Sequence, residues 1–181
     1  MKITQISATV ALALFAVGAT AKEPQVYVNQ NLGFNVEGFK YTQEEFPCNV
    51  NTVLVQNLIK RSKKAGIQME AVSTPDKISN GVIPVLAIDV EELVLNEQYR
   101  FGTTSTSNLP RVKVTAALIT GKGEEGFVTA KHSCAIATLN EFTPSSNVLD
   151  MGTTATVCSA TRKCLDDLSN DIVQWIAPQV K

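Results

Sequence analysis

The fold of this chain is decided by residues 111–137, which read RVKVTAALITGKGEEGFVTAKHSCAIA. Apolar and polar side chains alternate through residues 111–120, a pattern typical of a strand with one buried face. Residues 121–126 are rich in glycine, and residues 127–137 resume as a second extended run. Two such runs around a short glycine turn predict a β-hairpin, because the turn brings them together as antiparallel neighbours.

The segments on either side of the hairpin predict two helices and several further strands. Apolar residues at helical spacing predict a helix from Asn51 to Gly66, for which Asn49 or Asn51 can supply the N-terminal cap. The same spacing predicts a helix from Ala160 to Ile176, with Pro178 ending it. Extended patterns predict strands at residues 25–28, around 34–39, at 67–72 and at 83–95, and an irregular polar segment at 99–108.

This order of elements predicts an α+β fold, namely a mainly antiparallel sheet with two helices packed on one face. Residues 22–181 are expected to form a single domain, because their number suits one hydrophobic core and no linker divides them.

The first 21 residues have the layout of a Sec signal peptide. Met1-Lys2 is a short basic start, residues 8–17 are almost wholly apolar, and Ala19-Thr20-Ala21 offers small residues for cleavage before Lys22. The apolar run is too short to span a bilayer permanently. We therefore expect an exported domain in the periplasm or outside the cell, where disulfides form.

The residue after the cleavage site and the net charge argue against a lipid anchor and against electrostatic binding to nucleic acid or membranes. Lys22 stands where a lipoprotein would need cysteine, so we expect a soluble protein with no stable membrane anchor. The formal net charge of −1 becomes −2 once Lys2 is removed. This balance offers no electrostatic footprint for nucleic acid or an anionic membrane.

Four cysteines in an exported chain predict two disulfides with three possible pairings. The pairing of Cys158 with Cys164, and so of Cys48 with Cys134, is favoured slightly over the other two. It requires Cys158 to lie before the last helix. If one helix contained both residues, their Cα atoms would be about 9 Å apart, which is too far for a bridge.

The remaining reactive residues do not form a recognisable catalytic or metal site. His132 is the only histidine, and it faces the same side of its strand as Cys134 at about 7 Å, a poor geometry for a catalytic pair. Strand alternation turns Asp89 and Glu91 away from Glu92, which argues against a shared cation. We therefore expect no catalytic residues, no metal and no cofactor.

Three segments together resemble the small α+β domains of bacterial envelope accessory proteins: Asn51–Gly66, Ile83–Leu95 and Arg111–Ala137. That group includes auxiliary components of ABC-type transporters, lipopolysaccharide-assembly lipoproteins, the curli-secretion protein and the amino-terminal domain of TolB. The resemblance is architectural and implies no functional residues.

The sequence thus favours a non-enzymatic envelope protein that binds a transport or assembly partner. Binding is expected at a sheet edge and at the loop from Tyr99 to Asn108, which also contains Arg100 and Phe101, because polar loops beside a sheet edge can accept a partner strand. The alternative is a secreted module that binds a small ligand or inhibits an enzyme.

Overall fold

A computed structural model describes residues 23–34, 47–120, 126–142 and 154–180. The predicted signal peptide and most of the hairpin turn lie outside these residues. The elements in chain order are β1 Val26–Asn29, β2 Gly33–Phe34, α1 Val50–Lys64, β3 Met69–Val72, α2 Pro75–Ile78, β4 Val85–Val94, β5 Arg100–Phe101, β6 Arg111–Ile119, β7 Phe127–Ala135 and α3 Thr154–Val180.

The strands form one open, mixed sheet in the order β3-β1-β4-β6-β7, with β2 and β5 also paired to β4. The predicted hairpin is confirmed, since β6 and β7 pair antiparallel from Arg111 opposite Ala135 to Ile119 opposite Phe127. β1 instead runs parallel to both β3 and β4. The α+β class is therefore confirmed, and the parallel strands make the sheet mixed.

The hydrophobic core is one cluster of buried residues from the strands and from both long helices. Strand residues such as Leu86, Ile88 and Val114 are completely or almost completely buried, and they form one cluster with residues of α1 and α3. α1 and α3 also pack on each other, and Arg61 of α1 pairs with Asp166 of α3. The guanidinium of Arg61 donates hydrogen bonds to this carboxylate and lowers the pKa of Asp166.

The disulfide pairing favoured from sequence is wrong. The bridges are Cys48–Cys158 and Cys134–Cys164, with Cα–Cα distances of 5.1 and 5.6 Å. The reason is the length of α3, which begins at Thr154 rather than near Ala160 and so contains both of its cysteines. Two helical residues six positions apart cannot reach each other, so each bonds to a different neighbour of the helix.

The start of α1 depends on one of these bridges. Cys48 and Asn49 have φ values of 61° and 51°, a left-handed conformation that is costly for residues other than glycine. The predicted side-chain cap at Asn49 does not form. The Cys48–Cys158 bridge therefore attaches an otherwise unfavourable helix entry to α3.

Candidate functional site

The face of the sheet opposite the core cluster is only partly covered, and β7 is the most exposed of the long strands. Along β7, every residue except His132 is exposed or half-buried, whereas β6 has alternating residues fully buried. Among the described residues, β7 pairs only with β6, so its other edge is free. An unpaired edge presents backbone donors and acceptors to which another strand can bind.

Large apolar side chains are exposed on both faces of the sheet where β6 and β7 meet the hairpin turn. Phe127 is 55% exposed, Val128 45% and Ile119 37%. α3 contacts the other end of β7, through the disulfide of Cys134 and the hydrogen bond of His132. This end of the hairpin, which we call the β7 tip (Ile119, Phe127 and Val128), therefore presents apolar side chains beside the free edge, with Val128 on the opposite face of the sheet from the other two.

The polar loop that was expected to bind a partner is organised by its own arginine. The guanidinium of Arg100 donates hydrogen bonds to the carbonyl oxygens of Ser105, Thr106 and Ser107 and to the side chain of Asn108. Its N–H groups are thus used within the loop.

The other two residues proposed in this loop are partly buried against the core. Tyr99 and Phe101 pack against the core cluster. Through β5, Arg100 and Phe101 pair antiparallel with the last residues of β4. Only the start of the loop continues the sheet, and its part in partner binding remains a prediction.

A β-bulge in β4 corrects the expected orientation of the acidic residues. The register shifts between Val90 and Glu92, so that Glu92 lies opposite Lys113 of β6. Because a bulge places two residues of one strand against one of its neighbour, perfect alternation is lost. Both glutamates of the bulge consequently meet cations of the exposed face: Glu91 pairs with Lys131 at 3.1 Å and Glu92 with Lys113 at 3.3 Å.

Glu92 is buried, yet it is held as a carboxylate. Burial alone would raise its pKa, but hydrogen bonds from Thr103 and Lys113 and the charges of Lys113 and Arg111 outweigh that effect and lower the pKa of Glu92.

Glu92→Gln is expected to lower the free energy of unfolding at neutral pH, and to lower it less in acid. A lowered folded pKa stabilises the protein above the ordinary value of 4.5, and this contribution disappears as pH falls through the folded pKa. Urea unfolding from about pH 7 to about pH 3 should therefore show wild type and variant converging in acid. The same replacement at exposed Glu97 is the control, and a constant difference at every pH would contradict this account of Glu92.

His132 is buried under α3 beside an acidic residue. Its Nδ1 lies 2.9 Å from Oδ2 of Asp171, and the ring centroid of Trp175 is 5.5 Å away. Nε2 is buried without a hydrogen-bond partner among the described residues. The thiols that a Cys–His pair would need are absent, because all four cysteines are disulfide-bonded.

A groove of about 640 Å³ lies on the exposed face, next to the β7 tip. Its walls and floor come from the segment after α2 and from the outward residues of β4, β6 and β7. The apolar lining includes Ile78, Ile83, Ala117 and Phe127, and Asp89 is the one charged residue of the lining within the described part of the chain. This volume falls within the usual range for small-molecule sites.

One wall of the groove is fixed by a turn around Asn80. The side-chain oxygen of Asn80 accepts hydrogen bonds from the backbone N–H groups of Val82 and Ile83, and its amide donates to the carbonyls of Lys77 and Ile83. Gly81 has a φ of 67°, which favours glycine at that position. The groove is therefore bounded by an internally bonded wall.

Sequence reasoning missed this groove, although part of its signal was visible. Ala117, Ile119 and Phe127 fall on the outward face of their strands, where polar residues are expected. The groove also requires the short helix α2, which the turn-forming residues around Pro75 did not predict.

The described residues hold neither a group of metal ligands nor a membrane-spanning helix. Within residues 23–34, 47–120, 126–142 and 154–180, no three His, Cys, Asp or Glu side chains are grouped to hold a metal ion. No helix in the described part of the chain has both the length and the hydropathy needed to cross a membrane.

Three solved bacterial structures are similar to this chain at low identity. A Xanthomonas campestris protein of the family DUF330 is 16% identical over 86% of this chain and 88% of its own, with a TM-score of 0.48. PelC of Paraburkholderia phytofirmans, crystallised as a dodecamer, is 12% identical over 81% and 87%, with a TM-score of 0.43. A minor lipoprotein of Acinetobacter baumannii is 12% identical over 86% and 94%, with a TM-score of 0.38.

These similarities do not assign the chain to one family. All three TM-scores are below 0.5, so they carry no inference about function or shared residues. No family model and no curated protein matches the chain.

Proposed function

We propose that this is a non-enzymatic, extracytoplasmic envelope protein that binds another envelope protein as an accessory to transport or assembly. The observation that carries the proposal is the edge of β7 that no described strand pairs with, beside the exposed apolar β7 tip. A partner strand could pair with the edge while its side chains cover the apolar residues, which is a recurring mode of peptide recognition.

The charge on β7 is compatible with that mode of binding. Lysines on edge strands commonly discourage pairing with other chains. Lys131 lies at the middle of β7, but its ammonium group pairs with Glu91 on the exposed face of the sheet. The cation is thus directed across the sheet toward β4 rather than outward from the free edge.

Two further features support an extracytoplasmic location. The sequence begins with the pattern of a signal peptide, and the structure contains two disulfides. Disulfides persist in oxidising compartments and are rare in the cytosol.

Photo-crosslinking in the native host tests the proposed surface. A photoreactive amino acid at Thr129, an exposed residue of β7, is expected to yield one dominant adduct with an envelope protein, identified by mass spectrometry. The matched control carries the same amino acid at Arg162, an exposed residue of α3. An adduct from Arg162 alone would move the binding surface to the helices and overturn the proposed use of β7.

A further inference from the structure

We propose that the groove on the exposed face binds an amphipathic amine, that is, a small molecule with an apolar body and a cationic end. This is a second binding activity, and it does not depend on partner binding at β7. Among the described residues that line it, the groove combines apolar side chains with one carboxylate, that of Asp89, and with the hydroxyl groups of Ser79, Thr115 and Thr129.

The carboxylate of Asp89 is the group that selects the charge of the ligand. No hydrogen bond or salt bridge engages it among the described residues, whereas Glu91, two residues further along β4, is bound by both Thr115 and Lys131. Asp89 lies over Gly33 of β2, where a Cβ atom would meet its Oδ1 at 1.7 Å. The absence of a side chain at Gly33 therefore leaves space for this carboxylate at one end of the groove.

The apolar part of the groove suits the body of the ligand. Ile78 and Ile83 line one side, and Ala117, Ile119 and Phe127 line the strands. Because the side chain of Ala117 is small, it leaves the groove open between β4 and β7. A cation at Asp89 would place an attached hydrocarbon chain along these residues, where burial of apolar surface favours binding.

Titration with n-octylamine, observed through backbone amide chemical shifts of the disulfide-bonded protein, tests the proposal. The probes n-octanol and n-octanoate share its chain and differ in the charge of the end group. We expect shifts at Ala117 and Thr129, with the amine binding most tightly and the carboxylate most weakly. Shifts spread over the whole surface, or tightest binding of octanoate, would overturn the proposal.

Two variants with the same change in net charge separate a specific site from general attraction. Asp89→Asn is expected to weaken octylamine binding by up to about fivefold, the upper end for an exposed ion pair, and to leave octanol binding unchanged. Asp167→Asn removes an exposed carboxylate from α3 and should change neither. Equal effects of the two variants would show non-specific attraction and contradict the site.

A third variant tests the apolar part of the groove. Ala117→Leu is expected to weaken binding of both octylamine and octanol, because the larger side chain occupies the floor. Ala117 is half-buried and lies outside the hydrophobic core, so the variant should still fold. Thermal unfolding checks this. Unchanged binding of both probes would contradict the assigned groove.

Discussion

Replacement of Cys48 and Cys158 by alanine is expected to lower the free energy of unfolding by about 5 kcal/mol. The bridge joins residues 110 positions apart, and in the chain-entropy description a cross-link of that span removes about 5 kcal/mol of freedom from the unfolded chain. A loss of that size is comparable with the whole stability of many domains. Urea unfolding of the oxidised wild type and the double variant gives the difference.

The origin of this effect lies at the junction of α1 and α3. Without the bridge, the left-handed residues Cys48 and Asn49 must hold the entry of α1 without the cap that Asn49 does not provide. The second bridge, Cys134–Cys164, spans only 30 residues and contributes about 3.5 kcal/mol on the same basis. A double variant at Cys48 and Cys158 as stable as wild type would contradict this account.

The single replacement Cys158→Ala distinguishes all three disulfide pairings. The structure predicts that the free thiol then appears at Cys48. A thiol at Cys164 would indicate the pairing favoured from sequence, and one at Cys134 the third pairing. Alkylation of the non-reduced protein followed by peptide mass mapping identifies the residue.

Ile88→Ala is expected to destabilise the protein by about 2–5 kcal/mol, whereas Ile119→Ala should cost no more than about 0.5 kcal/mol. Ile88 is 2% exposed and lies at the centre of β4 in the core cluster, so the deletion leaves a cavity. Ile119 belongs to the partly exposed β7 tip. Chemical unfolding of both variants compares the same change on the two faces of one sheet.

This pair of variants tests the two-sided character of the sheet. Equal losses of stability would mean that the face bearing Ile119 is covered as completely as the core face, and the groove and the β7 tip would then not be available for binding. A large loss only for Ile88→Ala is the result the structure predicts.

The sequence was sufficient for the parts of the fold that depend on local periodicity. Alternation through residues 111–120 identified β6, and helical spacing identified α1 within two residues of each end. The parallel pairing of β1 could not be predicted, because four extended residues carry no information about which distant strand they join.

Two errors have specific physical causes. The start of α3 is marked by threonine and alanine rather than by large apolar residues, so its first turns were missed and the disulfides were paired wrongly. The bulge in β4 depends on how this strand meets β6, and alternation within one strand cannot reveal it. The groove was missed for a similar reason, since it is assembled from α2 and three strands.

The most direct test of the proposed binding surface is the ratio of photo-adduct yields at Thr129 and Arg162, measured in the native host in one mass-spectrometric series. If β7 and its tip bind an envelope partner, Thr129 should give one dominant adduct in clearly higher yield than Arg162, since a specific interface holds the reactive group against a single partner. Equal yields at the two positions, or no adduct at Thr129, would contradict the account.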